Sequence, residues 1–353
     1  MTFPLTVIAG AEAREQLAQH GWQPELFTAL VGASGGAKLL GIAHLDRTIF
    51  KDFLGKADHK MELYGSSIGS WRHATLASGN AADAIEKLQD RYLNQRWSPN
   101  DLRPKQEIVD NLCDWVLDGF LNQDSINSII NNDRFTTHIV TARGRGPNNR
   151  PNDLLLALGM TASAVGNLIS RELLSLGFQR AVFSTEPSRA FKFKDFNTLH
   201  IPLTKELLKP ALLASGSIPF LMGGVYMQRV AAPGQYWDGG IVDYHFDFGN
   251  QIGEGLILYP HFGARIIKGW FDKRLPWRTT KAELLTKTVV IAPSHNYLSR
   301  LPGGKIPDRK DFSRYNEKER IKRWQSALEH SKVLAAAFGE MISHSDPLAY
   351  ISD

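Results

Sequence analysis

The sequence predicts an α/β fold, and three observations point to it. Short apolar runs read as strands at residues 5–9, 26–31, 137–142, 181–184, 256–260 and 288–293. Stretches with helical spacing separate them, so strand and helix alternate along the chain. Two strand candidates run directly into glycine-rich turns that open helix-like sequence. The chain has 353 residues, 43% of them apolar and 22% charged, which suits one large α/β domain. No internal repeat, low-complexity tract or linker divides it, so residues 1–353 read as a single domain.

The elements follow in order. Residues 11–20 have helical spacing and stop at Gly21. The strand at 26–31 feeds Gly32-Ala33-Ser34-Gly35-Gly36-Ala37-Lys38-Leu39, and a helix is expected through 44–53. A strand candidate before Gly65 enters Gly65-Ser66-Ser67-Ile68-Gly69, followed by helix-like sequence at 71–78. Residues 81–96 and 105–121 are amphipathic, divided by a turn at 98–101 that includes Pro99, and 124–131 is a further short helix. Together they read as a helical insertion or cap over 81–135. The basic stretch 143–151, ending in Pro151, is expected to be a solvated loop. A long apolar helix is expected at 153–176. Its uncharged part, 154–170, is shorter than the roughly 20 residues of a membrane span and carries Thr161, Ser163 and Asn167, so a buried helix is expected. A helix at 207–218 leads into Pro219, one C-terminal helix spans 317–342, and residues 260–353 pack on the core.

Composition excludes several classes. The net charge is +5, a modest excess that permits contact with an anionic surface without demanding nucleic acid. No zinc-finger, RNP or basic-zipper pattern is present, and no nucleic-acid partner is expected. The single cysteine, Cys113, sits in a helical pattern and reads as a packed core residue. One cysteine permits no internal disulfide, which fits a reducing, cytoplasmic setting. Residues 1–10 lack the basic and apolar regions of a signal peptide.

Three motifs carry chemistry. Gly65-Ser66-Ser67-Ile68-Gly69 has the form of a nucleophile elbow, in which a strand turns sharply into a helix and presents the serine at the helix N-terminus. Gly65 and Gly69 remove side chains that would collide in that turn. Gly32-Ala33-Ser34-Gly35-Gly36 has the same spacing, so Ser34 is a second candidate. That loop fails as a nucleotide site: Ala37-Lys38-Leu39 lacks the Gly-Lys-Ser/Thr of a phosphate loop, and Gly32 lacks the spacing of a dinucleotide fingerprint. It suits a backbone cradle for an anion. The third motif is Asp238-Gly239-Gly240 after Tyr236-Trp237, a carboxylate at a strand end. His245, His261 and His295 sit in no recognisable pattern.

Taken together, these elements resemble the patatin-like phospholipases over residues 26–243. The resemblance implies a three-layer α/β/α fold with a mixed, mostly parallel central sheet. It places the nucleophile at Ser67 and its base at Asp238, without a histidine. It puts the oxyanion hole in the loop of Gly35, Gly36, Ala37 and Lys38, with Lys38 itself read as solvated. The stretch from Ala214 and Ser215 to Pro219, and Asp243, also match the family's pattern. Ala33, Ser34 and Leu39 depart from its usual glycine loop, and His245-Phe246 stand where a proline is common. A serine α/β-hydrolase reading through Ser34 would leave only two expected strands before its nucleophile.

The implied activity is serine lipid acyl hydrolysis, of phospholipase A or lysophospholipase type, with no cofactor or metal and a lipid or ester as substrate. Desolvation by Tyr236 and Trp237 would raise the Asp238 pKa. The alternatives are a carboxylesterase for short acyl esters and a lipid-binding member with weakened catalysis, the latter motivated by the altered loop. Trp270, Phe271 and Trp277 interleave with Lys268, Lys273, Arg274 and Arg278. That pattern suits either peripheral contact with an anionic membrane or a segment packed on the core. Phe191 and Phe193 with Arg189 and Lys192 form a weaker version.

Overall fold

The computed structural model describes every residue except 1, 2, 99, 151, 189, 190, 192, 194, 196, 249–252, 282–284 and 353. Pro99, Pro151, Arg189 and Lys192 therefore lie outside the described residues. The strands are β1 Leu5–Ala9, β2 Phe27–Gly32, β3 Met61–Ser66, β4 Phe135–Gly144, β5 Phe178–Ser184, β6 Thr198–Pro202, β7 Val225–Met227, β8 Gly234–Asp238, β9 Leu256–Pro260, β10 Ile266–Ile267, β11 Thr279–Thr280 and β12 Thr288–Pro293. The helices are α1 Ala11–His20, α2 Ala43–Thr48, α3 Ile68–Leu76, α4 Ala81–Leu93, α5 Lys105–Leu117, α6 Gln123–Ile130, α7 Asp153–Ile169, α8 Leu174–Gly177, α9 Lys205–Gly216, α10 His295–Leu298, α11 Asp311–Arg314, α12 Glu317–His330 and α13 Lys332–Ser343.

The architecture is a three-layer α/β/α sandwich. Its sheet runs in the order β1-β12-β9-β2-β3-β4-β5-β6, and β8 pairs with β4 and β7. The central run from β12 to β4 is parallel throughout, with antiparallel pairing at β1, β5, β7 and β8. The sequence explains this centre. Strands β9 (Leu-Ile-Leu-Tyr-Pro) and β12 (Thr-Val-Val-Ile-Ala-Pro) are unbroken apolar runs and are buried at every position. That is the composition of parallel strands covered on both faces. The last third of the chain thus supplies two strands inside the sheet, β9 and β12, as well as helices packed on it. Residue 351 returns to bridge Val7 of β1.

Several local expectations change. The region 36–53 is a 3-10 turn, helix α2 and a π-helical turn rather than one helix. The C-terminal helix breaks at Ser331 into α12 and α13. The long helix at 153–176 ends at Ile169, because Ser170 leaves helical geometry and its side chain caps the next turn. The basic loop is only partly solvated: Gly146, Pro147 and Arg150 are exposed, but other residues are tied into the fold. Asn148 is fully buried, its carbonyl accepts from Trp237 Nε1 at 2.9 Å, and Asn149 Oδ1 accepts from the Gln235 amide at 2.6 Å. Arg143 Nη2 donates to the Pro233 carbonyl at 2.8 Å. This loop braces the strand that ends on Asp238. Strands β6 and β7 carried no signal strong enough to be predicted.

The expectation for 154–170 is reversed. The helix forms, but its leucine-rich side faces solvent. Among the described residues no helix is long and apolar enough to cross a membrane.

Candidate active site

Strand β4 is the ruler of the site. Strand β3 runs parallel to it and ends with Ser66 opposite Val140. Strand β5 occupies the other edge of β4 over residues 138–144. Strand β8 must therefore join β4 on the β3 edge, antiparallel, and it ends with Asp238 opposite Thr141. The carboxyl ends of β3 and β8 thus face each other across one residue step. Two residues far apart in the chain meet there: Ser67 Oγ donates to Asp238 Oδ2 at 3.0 Å.

The turn at Ser67 is an elbow in geometry as well as in motif. Ser67 has φ 54° and ψ −130°, a region that non-glycine residues rarely enter and that costs about 1–3 kcal/mol. Its glycines are required by contact. A Cβ on Gly65 would lie 2.3 Å from the Ser70 backbone, and one on Gly69 would lie 2.0 Å from the Gly32 carbonyl oxygen. The second contact also brings the early loop to the elbow. Ser34 is not so placed. It has no positive φ, its hydroxyl donates to Ser66 Oγ at 3.0 Å, and a Cβ on Gly240 would meet that hydroxyl at 2.8 Å. Ser34 supports the Asp238 turn from beneath.

The end of α9 clamps both partners. Ser215 Oγ accepts from the Ser67 amide at 2.9 Å and donates to the Val140 carbonyl at 2.7 Å. Two residues on, the Ser217 carbonyl accepts from the Asp238 amide at 2.8 Å. Burial pushes the Asp238 carboxyl up to about 6, opposed by the Gly240 amide on Oδ1 at 2.6 Å, the Ser67 hydroxyl, and the charges of Lys273 and Arg309. Desolvation dominates, so the carboxylate is a stronger base than a surface aspartate. Asp243 serves elsewhere, in a buried two-pronged pair with Arg180 at 2.6 and 2.8 Å.

The loop of Gly35, Gly36, Ala37 and Lys38 borders this centre. The Lys38 amide is turned toward the Gly35 carbonyl at 3.4 Å. Leu39 points into the core and is fully buried. Lys38 is half-buried rather than solvated, and burial lowers its pKa. Its amine lies 5.9 Å from the centre of the Tyr244 ring and 5.8 Å from that of Phe262. Lys273 shares Tyr244, with its amine 3.6 Å from the ring centre, and Arg309 shares Trp270 with Lys273 at 5.5 and 5.7 Å. Burial of the amine and the neighbouring cations push Lys273 down to about 7. The residue as a whole is exposed, so solvent along its stem moderates that depression.

Sequence reasoning missed most of this rim. Tyr92, from the helical insertion, comes within 3.2 Å of a Cβ on Gly36, and nothing in its amphipathic helix marks it. Tyr244, Phe262 and Arg309 also carried no motif. His245 and His261 form a buried edge-to-face pair with centroids 4.2 Å apart, and burial holds both well below the usual histidine range. His295 begins α10. Cys113 is partly buried against the core, and burial pushes its thiol up to about 12.

The model of the patatin-like phospholipase family matches residues 61–245, just over half of the chain. The chain belongs to the patatin-like phospholipase family. These proteins are lipid acyl hydrolases, and the matched stretch holds the elbow, the α9 clamp and the Asp238 turn. The early loop lies outside it and is joined to the patatin-like region by the Gly32–Gly69 contact. No curated protein sequence matches. Among solved structures, the type III effector protein ExoU aligns at 14% identity with a TM-score of 0.27, covering 99% of this chain and 61% of that chain. This chain thus spans less than two thirds of the length of ExoU.

Proposed function

We propose that the protein is a serine lipid acyl hydrolase that works through a Ser67–Asp238 dyad on phosphate-bearing lipids. The 3.0 Å bond between Ser67 Oγ and Asp238 Oδ2 carries the reading. Ser67 Oγ attacks the ester carbonyl carbon as Asp238 takes its proton. The carbonyl oxygen becomes an oxyanion facing the amides of Gly35, Gly36 and Ala37; one such donor is worth about 3–4 kcal/mol in the transition state. The acyl C–O bond breaks, and the leaving alkoxide receives the proton from Asp238. Water attacks the acyl-enzyme and gives a proton to Asp238. Ser67 recovers that proton as the carboxylic acid departs.

The choice of lipid is supported by the cations of the rim. Lys38, Lys273 and Arg309 gather around Tyr244 and Trp270, and two of them act electrostatically on Asp238. A short neutral ester has no group for them, whereas a phosphate beside the scissile ester does. A fluorophosphonate probe should label the protein and fail on Ser67→Ala; persistent labelling would remove Ser67 from the mechanism. Measured at pH 9, where Asp238 is ionised with or without these cations, replacing Lys273 and Arg309 together by alanine should slow phospholipid turnover about 10- to 100-fold and spare p-nitrophenyl butyrate. An equal loss on both substrates would defeat the phosphate assignment.

A further inference from the structure

Helix α7 is built inside out. Its buried residues are Leu156, Gly159, Met160, Ser163 and Asn167. Its outward stripe is Leu154, Leu155, Leu158, Val165, Leu168 and Ile169, which share one face at about 100° per residue. Leu154, Leu158, Val165, Leu168 and Ile169 are between 53% and 75% exposed. The helix cannot roll over to hide them, because polar contacts fix its inner side. Asn148 Nδ2 donates to Ser163 Oγ at 3.2 Å, and Asn167 Nδ2 donates to Asp272 Oδ1 at 2.7 Å. A Cβ on Gly159 would stand 2.2 Å from Asn148 Oδ1.

Two more exposed apolar side chains lie in segments next to the helix, in α8 and in the turn after residue 274. Leu176 is 74% exposed and Trp277 is 72% exposed. Arg278 Nη2 donates to the Leu168 carbonyl at 3.4 Å, which sets Trp277 beside the end of α7. Contiguous apolar surface of this kind marks a contact site.

We infer that the outer face of α7, with Leu176 and Trp277, is a docking surface for an anionic phospholipid bilayer. The charge pattern selects this occupant. Exposed Arg150 precedes the helix, and exposed Arg274 lies past its far end with Arg278; Asp153 and Glu172 lie at the two ends, and Asp272, paired with Arg278 at 3.8 Å, is buried beneath. An apolar stripe flanked by cations and a tryptophan suits a helix lying among lipid headgroups. A second copy paired on the same stripe by a two-fold axis would bring Arg150 against Arg274, cation against cation. The segment at 270–278 also links the surface to the dyad, because Lys273 reaches Tyr244 at the rim. The docking thereby presents the mouth of the site to lipid. The choice of a bilayer rests on the lipid-hydrolase reading, and the test separates binding from catalysis.

The experiment uses the full chain carrying Ser67→Ala, with phosphatidylcholine vesicles that do or do not contain phosphatidylglycerol. Flotation should recover it with the anionic vesicles. Adding Leu158→Glu with Leu168→Glu should weaken that partition at least about 10-fold. The same pair on the Ser67 background should leave Tm and p-nitrophenyl butyrate hydrolysis unchanged. Leu158→Ser with Leu168→Ser repeats the test without new charge and should weaken partition in the same direction. Flotation that survives both pairs overturns the inference. So does absence of flotation in the parent, or a solution dimer that the glutamate pair dissociates.

Discussion

Helices α3 and α7 use their side chains in opposite ways. Every residue of α3 is buried, including Ser70, Arg72, His73 and Thr75. Arg72 Nε reaches Asp46 Oδ2 at 2.7 Å, with both side chains fully buried. Helix α7 leaves leucines in water while it buries Ser163 and Asn167. Polarity alone would have predicted the reverse of both. What differs is the surroundings. Helix α3 starts at the elbow and is enclosed by β2, β3, α4 and α9, and Ser70, Arg72 and Thr75 find hydrogen-bond partners inside the protein. Helix α7 meets the loop at 146–149 and the turn at 270–274 through one side that mixes Ser163 and Asn167 with Leu156 and Met160.

The contrast can be broken by experiment. The largest effect is expected where α3 begins. Asp238→Asn should lower turnover about 10²- to 10⁴-fold, the range of a lost general base. Because the folded-state pKa of Asp238 is raised, its ionised form costs folding free energy above pH 6, and none of that cost is present below the ordinary carboxylate range. The asparagine variant should therefore keep or raise Tm at pH 7 to 8. A collapsed fold would mean that Asp238 is a structural residue.

Next in size is the buried ion pair. Arg72→Ala strands Asp46 without its cation and should cost about 3–5 kcal/mol in urea unfolding. A loss under about 1 kcal/mol would show that water reaches the pair, and α3 would then be less enclosed than described.

The pH profile is a gentler probe. Asp238 accepts a proton only when ionised, so kcat/KM should fall about tenfold per pH unit below a midpoint near 6. A midpoint near 4 would indicate that solvent enters the dyad.

The smallest effect belongs to α7. Leu158→Ser should change stability by less than about 0.5 kcal/mol, since the side chain is already in water. A cost of about 2 kcal/mol or more would mean that another surface covers the leucine.

Much of the site was legible as sequence because glycines record steric necessity. Gly65 and Gly69 stand where any Cβ would strike backbone, and Gly239 stands 2.1 Å from the Val140 carbonyl by the same measure. Such positions tolerate nothing else, so they leave motifs. Tyr92, Phe262 and Arg309 left none, because a ring or a cation can reach a rim from many backbone positions. The 143–151 loop was misjudged for a related reason: Asn148 and Asn149 read as polar turn residues, and only their partners Trp237 and Gln235 reveal them as a brace.

The residues by themselves determined the strand–turn–helix units and the apolar central strands, and they offered Ser34, Ser67 and Asp238 as candidates. Those are local matters of backbone sterics and hydrophobic runs. Only the tertiary structure decided that β3 and β8 end head to head on β4, and that the leucines of α7 face outward. Both depend on pairings between segments distant in the chain. A strand's partner and a helix's covered side are chosen by what packs against them, not by their own composition.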